Sequence, residues 1–159
     1  MSGLRKVNLF AELPLEDEQY RREGYAQRSK AVDDEIGGDL IGGALWELAE
    51  GERICPYHYH YGVEEWAIVV SGEPTVRRPD GETKLRAGDV VCFPAGPEGA
   101  HTLHGPGRVL MLSHEVWPAV VVYPDSDKIG ARPGPMGTYV EDRGNFPRSS
   151  AVDYWHGEK

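Results

Sequence analysis

The stretch Gly51-Glu-Arg-Ile-Cys-Pro-Tyr-His-Tyr-His-Tyr-Gly-Val-Glu-Glu-Trp-Ala-Ile-Val-Val-Ser-Gly72 carries two histidines, His58 and His60, inside a run of aromatic and β-branched residues. Alternate residues of a strand point to one face, so His58 and His60 project together and offer two imidazoles to one ion. Tyr57, Tyr59 and Tyr61 alternate oppositely and read as packing on the outer face. A carboxylate follows at Glu64 or Glu65, ahead of the apolar run Trp66 to Val70. Only one of two neighbouring strand residues faces inward. With Glu65 inside, Ala67 and Val69 line the interior and leave room for a ligand; with Glu64 inside, Trp66, Ile68 and Val70 fill that room. Alternation leaves both registers open, and free volume favours Glu65, with Glu64 an exposed charge.

On both sides of this stretch, short runs bounded by Gly or Pro recur: Leu40 to Leu48, Ile54 to Tyr61, Glu65 to Val70, Thr75 to Arg78, Thr83 to Leu85, Val90 to Phe93, Thr102 to His104, Arg108 to His114 and Val120 to Tyr123. Short strands separated by turn signals predict an all-β sandwich or barrel. The clearest hairpin is Arg78-Pro79-Asp80-Gly81-Glu82, where Pro presets one turn dihedral and Gly supplies positive φ. A second stretch, Gly88-Asp-Val-Val-Cys-Phe-Pro94-Ala-Gly96-Pro-Glu-Gly-Ala-His101, reads as a turn, a buried strand and a Gly/Pro loop that delivers a histidine. His101 and His104 are three apart and face opposite ways in extended chain, which puts His101 at the ion and His104 at the rim. His104 and His114 read as rim or packing residues, and as the weak candidates for a catalytic acid or base near neutral pH. Arg77 and Arg78 read as solvated charges; with Arg53 they are the nearby candidates for holding an anionic substrate.

Both stretches resemble the two motifs of the cupin superfamily. The first, Gly-x5-His-x-His-x3–4-Glu-x6-Gly, is matched by Gly51, His58, His60, Glu65 and Gly72, and its spacing selects Glu65 over Glu64. The second, Gly-x5-Pro-x-Gly-x2-His-x3-Asn, is matched by Gly88, Pro94, Gly96 and His101. The chain departs from the pattern in three places. Six residues separate Gly51 from His58, four separate Gly96 from His101, and Gly105 stands where the motif ends in Asn. The resemblance covers about residues 40–115 and implies a small single-domain cupin with the double-stranded β-helix, or jelly-roll barrel. It also implies one divalent transition metal per chain on His58, His60, Glu65 and His101. Three imidazoles and a carboxylate suit Fe(II), Mn(II), Ni(II), Co(II) or Zn(II), and leave open positions on a five- or six-coordinate ion. Family members of this size include sugar-phosphate isomerases and epimerases as well as dioxygenases. The resemblance therefore implies an enzyme acting on a small polar organic molecule, with a non-enzymatic small-ligand or metal-binding module as the competing class.

Composition sets the frame. The 159 residues fit one domain, read as an N-terminal arm (1–39), a barrel (40–123) and an irregular C-terminal tail packed on the barrel (124–159). Glu16 to Arg22 reads as a short helix, and Tyr154 and Trp155 as aromatics that pin the tail. A net charge of −9 argues against nucleic acid and anionic membrane as partners. No apolar run is long enough for a membrane helix, and Met1 to Val7 leads into charged residues rather than an apolar signal core, so a cytoplasmic protein is expected. Cys55 and Cys92 read as buried, reduced thiols. In the register that puts the histidines inside, Tyr57, Tyr59, Trp66, Ile68 and Val70 face out, too apolar a set to leave in water. Phe10, Leu13, Leu15, Phe146, Tyr154 and Trp155 can cover part of it, and a symmetric homodimer is expected to cover the rest.

Overall fold

Runs such as Thr75–Arg78 and Val90–Phe93 are too short for helices and rich in β-branched residues, so they bury an apolar face only by pairing with one another. The computed structural model describes residues 3–17, 22–114, 116–135 and 137–158. In chain order its elements are β1 (Glu16–Asp17), β2 (Gln27–Ala31), the short helix α1 (Val32–Ile36), β3 (Ile41–Leu48), β4 (Tyr59–Tyr61), β5 (Glu65–Gly72), β6 (Thr75–Arg78), β7 (Gly81–Lys84), β8 (Val90–Phe93), β9 (Thr102–His104), β10 (Gly107–His114), β11 (Ala119–Tyr123), β12 (Lys128–Arg132) and β13 (Gly144–Pro147). Three single-turn 3-10 segments fill connections.

One sheet has the order β1-β2-β3-β10-β5-β8; the others are β13-β12-β11-β4 and β7-β6-β9. The two smaller sheets join at an antiparallel bridge between His58 and His101. There the His58 N–H donates to the His101 carbonyl at 3.1 Å and the His101 N–H to the His58 carbonyl at 2.8 Å. The joined sheet packs against the six-stranded one in the double-stranded β-helix expected of a jelly roll. Between them Ala67, Val69 and Val109 meet Ile54, Val76 and Leu103, with Phe93 and Leu48 in the same cluster.

The outer face of the large sheet is covered in part by the chain itself. Val7, Leu9, Leu13 and Leu15 pack on a cluster of Val32, Leu45, Val70 and Leu110 that also takes in Ile68 and Leu112. Fully burying an aliphatic side chain contributes roughly 1.5–3 kcal/mol, and the partly buried arm residues each contribute a fraction of that. Arg108 holds the arm in place, its Nη1 donating to the Ala11 carbonyl at 3.3 Å. On the outer face of the joined sheet Tyr59, Ala100 and Val122 form a third cluster with Tyr57 and Val120.

Several expectations need correction. Glu16 and Asp17 form a strand rather than the start of a helix, because β2 offers them a partner; residues 18–21 lie outside the described residues. The long run Ile54 to Tyr61 is regular only over Tyr59–Tyr61, since Pro56 has no N–H to give a ladder. Arm and tail both add strands to the sheets. β2 pairs with β3, and β12 pairs with β11 and then β13. Neither Gln27–Ala31 nor Lys128–Arg132 alternates in polarity; a free sheet edge recruits them. Tyr154 and Trp155 do not pin the tail, since they are 85% and 71% exposed and meet each other edge to face instead. Phe10 is likewise exposed. Cys92 is an exposed thiol rather than a core residue, because it points outward on β8 beside Trp66.

Candidate metal centre

Val121 of β11 stands opposite His60 of β4, and residues opposite one another share a face. His58, His60, Val121 and Tyr123 therefore all point into the barrel. His101 joins them because its backbone pairs with that of His58. From the opposite sheet, Glu65 opens β5 between Ser113 and Phe93. Its Oε2 lies 3.2 Å from His60 Nε2, 3.6 Å from His101 Nε2 and 3.7 Å from His58 Nε2. One ligand atom each from His58, His60 and Glu65 fall within 4.8 Å of one another.

The protonation pattern follows from the backbone. His58 Nδ1 is 2.9 Å from the Pro56 carbonyl, and His101 Nδ1 is 2.9 Å from the Gly99 carbonyl. A carbonyl only accepts, so each Nδ1 carries the proton and each Nε2 presents a lone pair to the cluster. Burial, and then the neighbouring His101, push the His58 pKa down to about 4, and burial also lowers that of His101. For Glu65 burial alone would raise the pKa; the close imidazole of His60, and then those of His101 and His58, outweigh it and bring it down to about 2. His58 and His101 are therefore neutral imidazoles beside an ionised Glu65 at neutral pH.

This donor set fits a transition metal. His101 Nε2 and Glu65 Oε2 are buried with no hydrogen-bond partner, a costly arrangement unless something else occupies the space between them. Ligand atoms held about 2.1 Å from one ion lie roughly 3.0–3.4 Å apart, close to the Glu65–histidine separations. Phe93 stacks flat on His101, with ring centroids 3.7 Å apart, and fixes its plane. Beside the cluster an open cavity of about 320 Å³ reaches from Glu65, Trp46 and Met111 to Asp33 and Leu112.

The structure does not bring every candidate here. The Glu64 carboxylate accepts from Trp66 Nε1 at 2.8 Å on the outer face. His114 Nδ1 accepts from the Glu64 N–H at 3.2 Å, and His104 Nε2 stands 3.9 Å from Glu82. Neither histidine joins the cluster. Arg77 forms a two-pronged ion pair with Asp125 and stacks over Tyr57, Arg78 lies beside Asp80, and Arg53 lies over Tyr25. Sequence reading missed Tyr123, whose ring stacks on His58 at 6.0 Å between centroids, and Arg132, whose Nη2 donates to the Tyr123 hydroxyl at 3.2 Å. The signal was present only as parity: Tyr123 lies two residues beyond Val121 and so shares its face.

Residues 44–114 match the family model described as the cupin domain. The chain carries a cupin domain. Among solved structures, 82% of this chain covers 81% of a protein provisionally called a sugar phosphate isomerase from Acidithiobacillus ferrooxidans, at 23% identity and a TM-score of 0.70. A sugar phosphate isomerase of the cupin superfamily from Silicibacter pomeroyi is matched over 93% of this chain and 96% of its own, at 19% identity and a TM-score of 0.73. The polyketide cyclase RemF from Streptomyces resistomycificus is matched over 70% and 80%, at 20% identity and 0.55. At these identities the likeness is one of fold. No curated protein matches the chain. The matched cupin segment runs from β3 to β10 and contains the four residues of the cluster, whereas Tyr123 and Arg132 lie beyond it.

Proposed function

We propose that His58, His60, Glu65 and His101 hold one divalent transition metal and that the protein is a metal-dependent enzyme acting on a small polar organic molecule, of the sugar-phosphate isomerase or epimerase kind. The observation that carries this reading is the pair of buried, partnerless ligand atoms, His101 Nε2 and Glu65 Oε2, facing two further imidazoles. When bound, such an ion supplies a Lewis acid that polarises a carbonyl oxygen. The chain does the positioning: the Pro56 and Gly99 carbonyls hold the imidazole tautomers, and Trp46 and Met111 give the adjoining cavity one apolar side. Two solved structures of the same fold that bear the name sugar phosphate isomerase support the reaction class.

The test is elemental analysis of protein purified without affinity metal, followed by assay on a panel of aldose and ketose phosphates with an oxygen electrode in parallel. Metal together with isomer interconversion supports the reading. Iron with substrate-dependent oxygen uptake replaces it with a dioxygenase, and metal without turnover replaces it with a binding module. The same reading includes a homodimer, and a cytoplasmic setting in which Cys55 and Cys92 stay as thiols.

A further inference from the structure

The inner face of the joined sheet extends past the histidines. In register across it run His60, Val121, Gly130 and Asn145. Gly130 has no side chain, and the Arg132 guanidinium lies in the space one would fill: a Cβ there would stand 2.8 Å from Nη1 and 3.1 Å from Cζ. The guanidinium is held by neutral acceptors only. Nη1 donates to the Ala131 and Gly144 carbonyls at 2.9 and 3.2 Å, and Nη2 to the Tyr123 hydroxyl and Asn145 Oδ1 at 3.2 and 3.0 Å. Across the Tyr123 ring, Lys128 Nζ stands 5.0 Å from its centroid. Among the described residues neither Arg132 nor Lys128 has a carboxylate partner, whereas Arg28, Lys30, Arg77, Arg78, Lys84 and Arg148 each form an ion pair.

Two uncompensated cations are thus fixed around a tyrosine that stacks on His58, in a protein whose net charge is −9. Arg132 is half-buried and Asn145 exposed, so this charge sits at the rim of the inner face, where a ligand can reach it. These acceptors take the four Nη hydrogens and fix the guanidinium plane, so an oxyanion would be met by the Nε–H and the uncompensated charge rather than by a two-pronged fork.

We propose that Arg132, assisted by Lys128, forms an oxyanion subsite beside the His58/His60/Glu65 cluster that takes the phosphate or carboxylate of the substrate. This deepens the metal-enzyme reading and rests on it for the identity of the second contact, although the subsite itself consists of this chain's own groups. Residues outside the cupin segment thereby set which small molecule enters.

The test is calorimetric titration of inorganic phosphate and of succinate into chelator-treated, metal-free protein. A failed metal site therefore leaves the measurement intact. The expected result is binding of at least one anion, weakened about tenfold or more in Arg132→Gln, with Arg77→Gln unchanged because Arg77 is already paired on the outer face. Gly130→Ala keeps the arginine but pushes its guanidinium away, and is expected to weaken binding in the same direction; it carries the test if Arg132→Gln melts out. Tighter phosphate binding assigns a phosphate monoester and tighter succinate binding a carboxylate, and both support the subsite. No binding of either anion to the wild type, or binding unchanged in both the Arg132 and Gly130 variants, overturns it.

Discussion

At each residue of the cluster, the imidazole nitrogen that carries the proton decides whether the other can face an ion. The Pro56 and Gly99 carbonyls hold the protons of His58 and His101 on Nδ1 and leave Nε2 toward Glu65. Removing a ligand leaves the remaining donors buried and unfilled, so His58→Ala, His60→Ala and His101→Ala are each expected to lower metal affinity at least about tenfold. Glu65→Ala is expected to weaken binding and Glu64→Ala to leave it unchanged, with metal content per chain as the readout. The same residues set an acid limit for the metal-free protein. His58 titrates near 6.5 when unfolded and about 4 when folded, so between those values the unfolded chain binds more protons and stability falls as pH falls. Glu65, depressed from 4.5 to about 2, adds a loss below pH 4.5 in the same direction. Thermal melts of metal-free protein should drop steadily from pH 7 to pH 4, and His58→Asn should flatten the upper part of that slope; an unchanged slope in the variant would remove His58 as its source.

At the scale of elements, spacing explains why much of the fold was legible. The His-x-His pair and the Gly/Pro loop before His101 are local patterns, and each reports which face its own strand buries. The glycine that closes the first motif has an equally local cause. Gly72 has φ +81°, and a Cβ there would stand 2.6 Å from Gly107 Cα, its partner at the end of the β5–β10 ladder. Gly51 also has positive φ but open space around it. Gly72→Ala should therefore destabilise the protein by about 1–3 kcal/mol more than Gly51→Ala does, measured by urea unfolding; equal losses would show that conformation alone, without the close approach, makes Gly72 necessary. What the sequence did not disclose is non-local. β2 and β12 have no polarity pattern and are strands only because β3 and β11 present free edges. Arg132 was hidden for that reason: its face is defined by pairing with Ala119, which no spacing within Lys128–Arg132 reveals.

At the scale of the whole molecule, the arm covers Ile68, Val70 and Leu112 but leaves a strip of the same sheet bare. Trp66 is 45% and Val90 57% exposed, and β8 is a free edge. Bare edges and apolar strips invite a second copy. Light scattering after size-exclusion chromatography should give about twice the 17.6 kDa chain mass, and Trp66→Glu should shift it toward the monomer; a wild-type mass near 17.6 kDa at micromolar concentration would contradict the dimer. Metal binding also acts on the whole molecule, because ligands drawn from both sheets come together only when the fold closes, and an ion that binds only the folded state stabilises it. The most direct measurement is therefore the metal count per chain in protein purified without affinity metal, paired with its melting temperature before and after chelation. About one transition-metal ion per chain and a lower melting temperature on chelation are the predicted result. Protein without metal, taking up none of Fe(II), Mn(II), Ni(II), Co(II) or Zn(II) and melting identically with and without chelator, would contradict it.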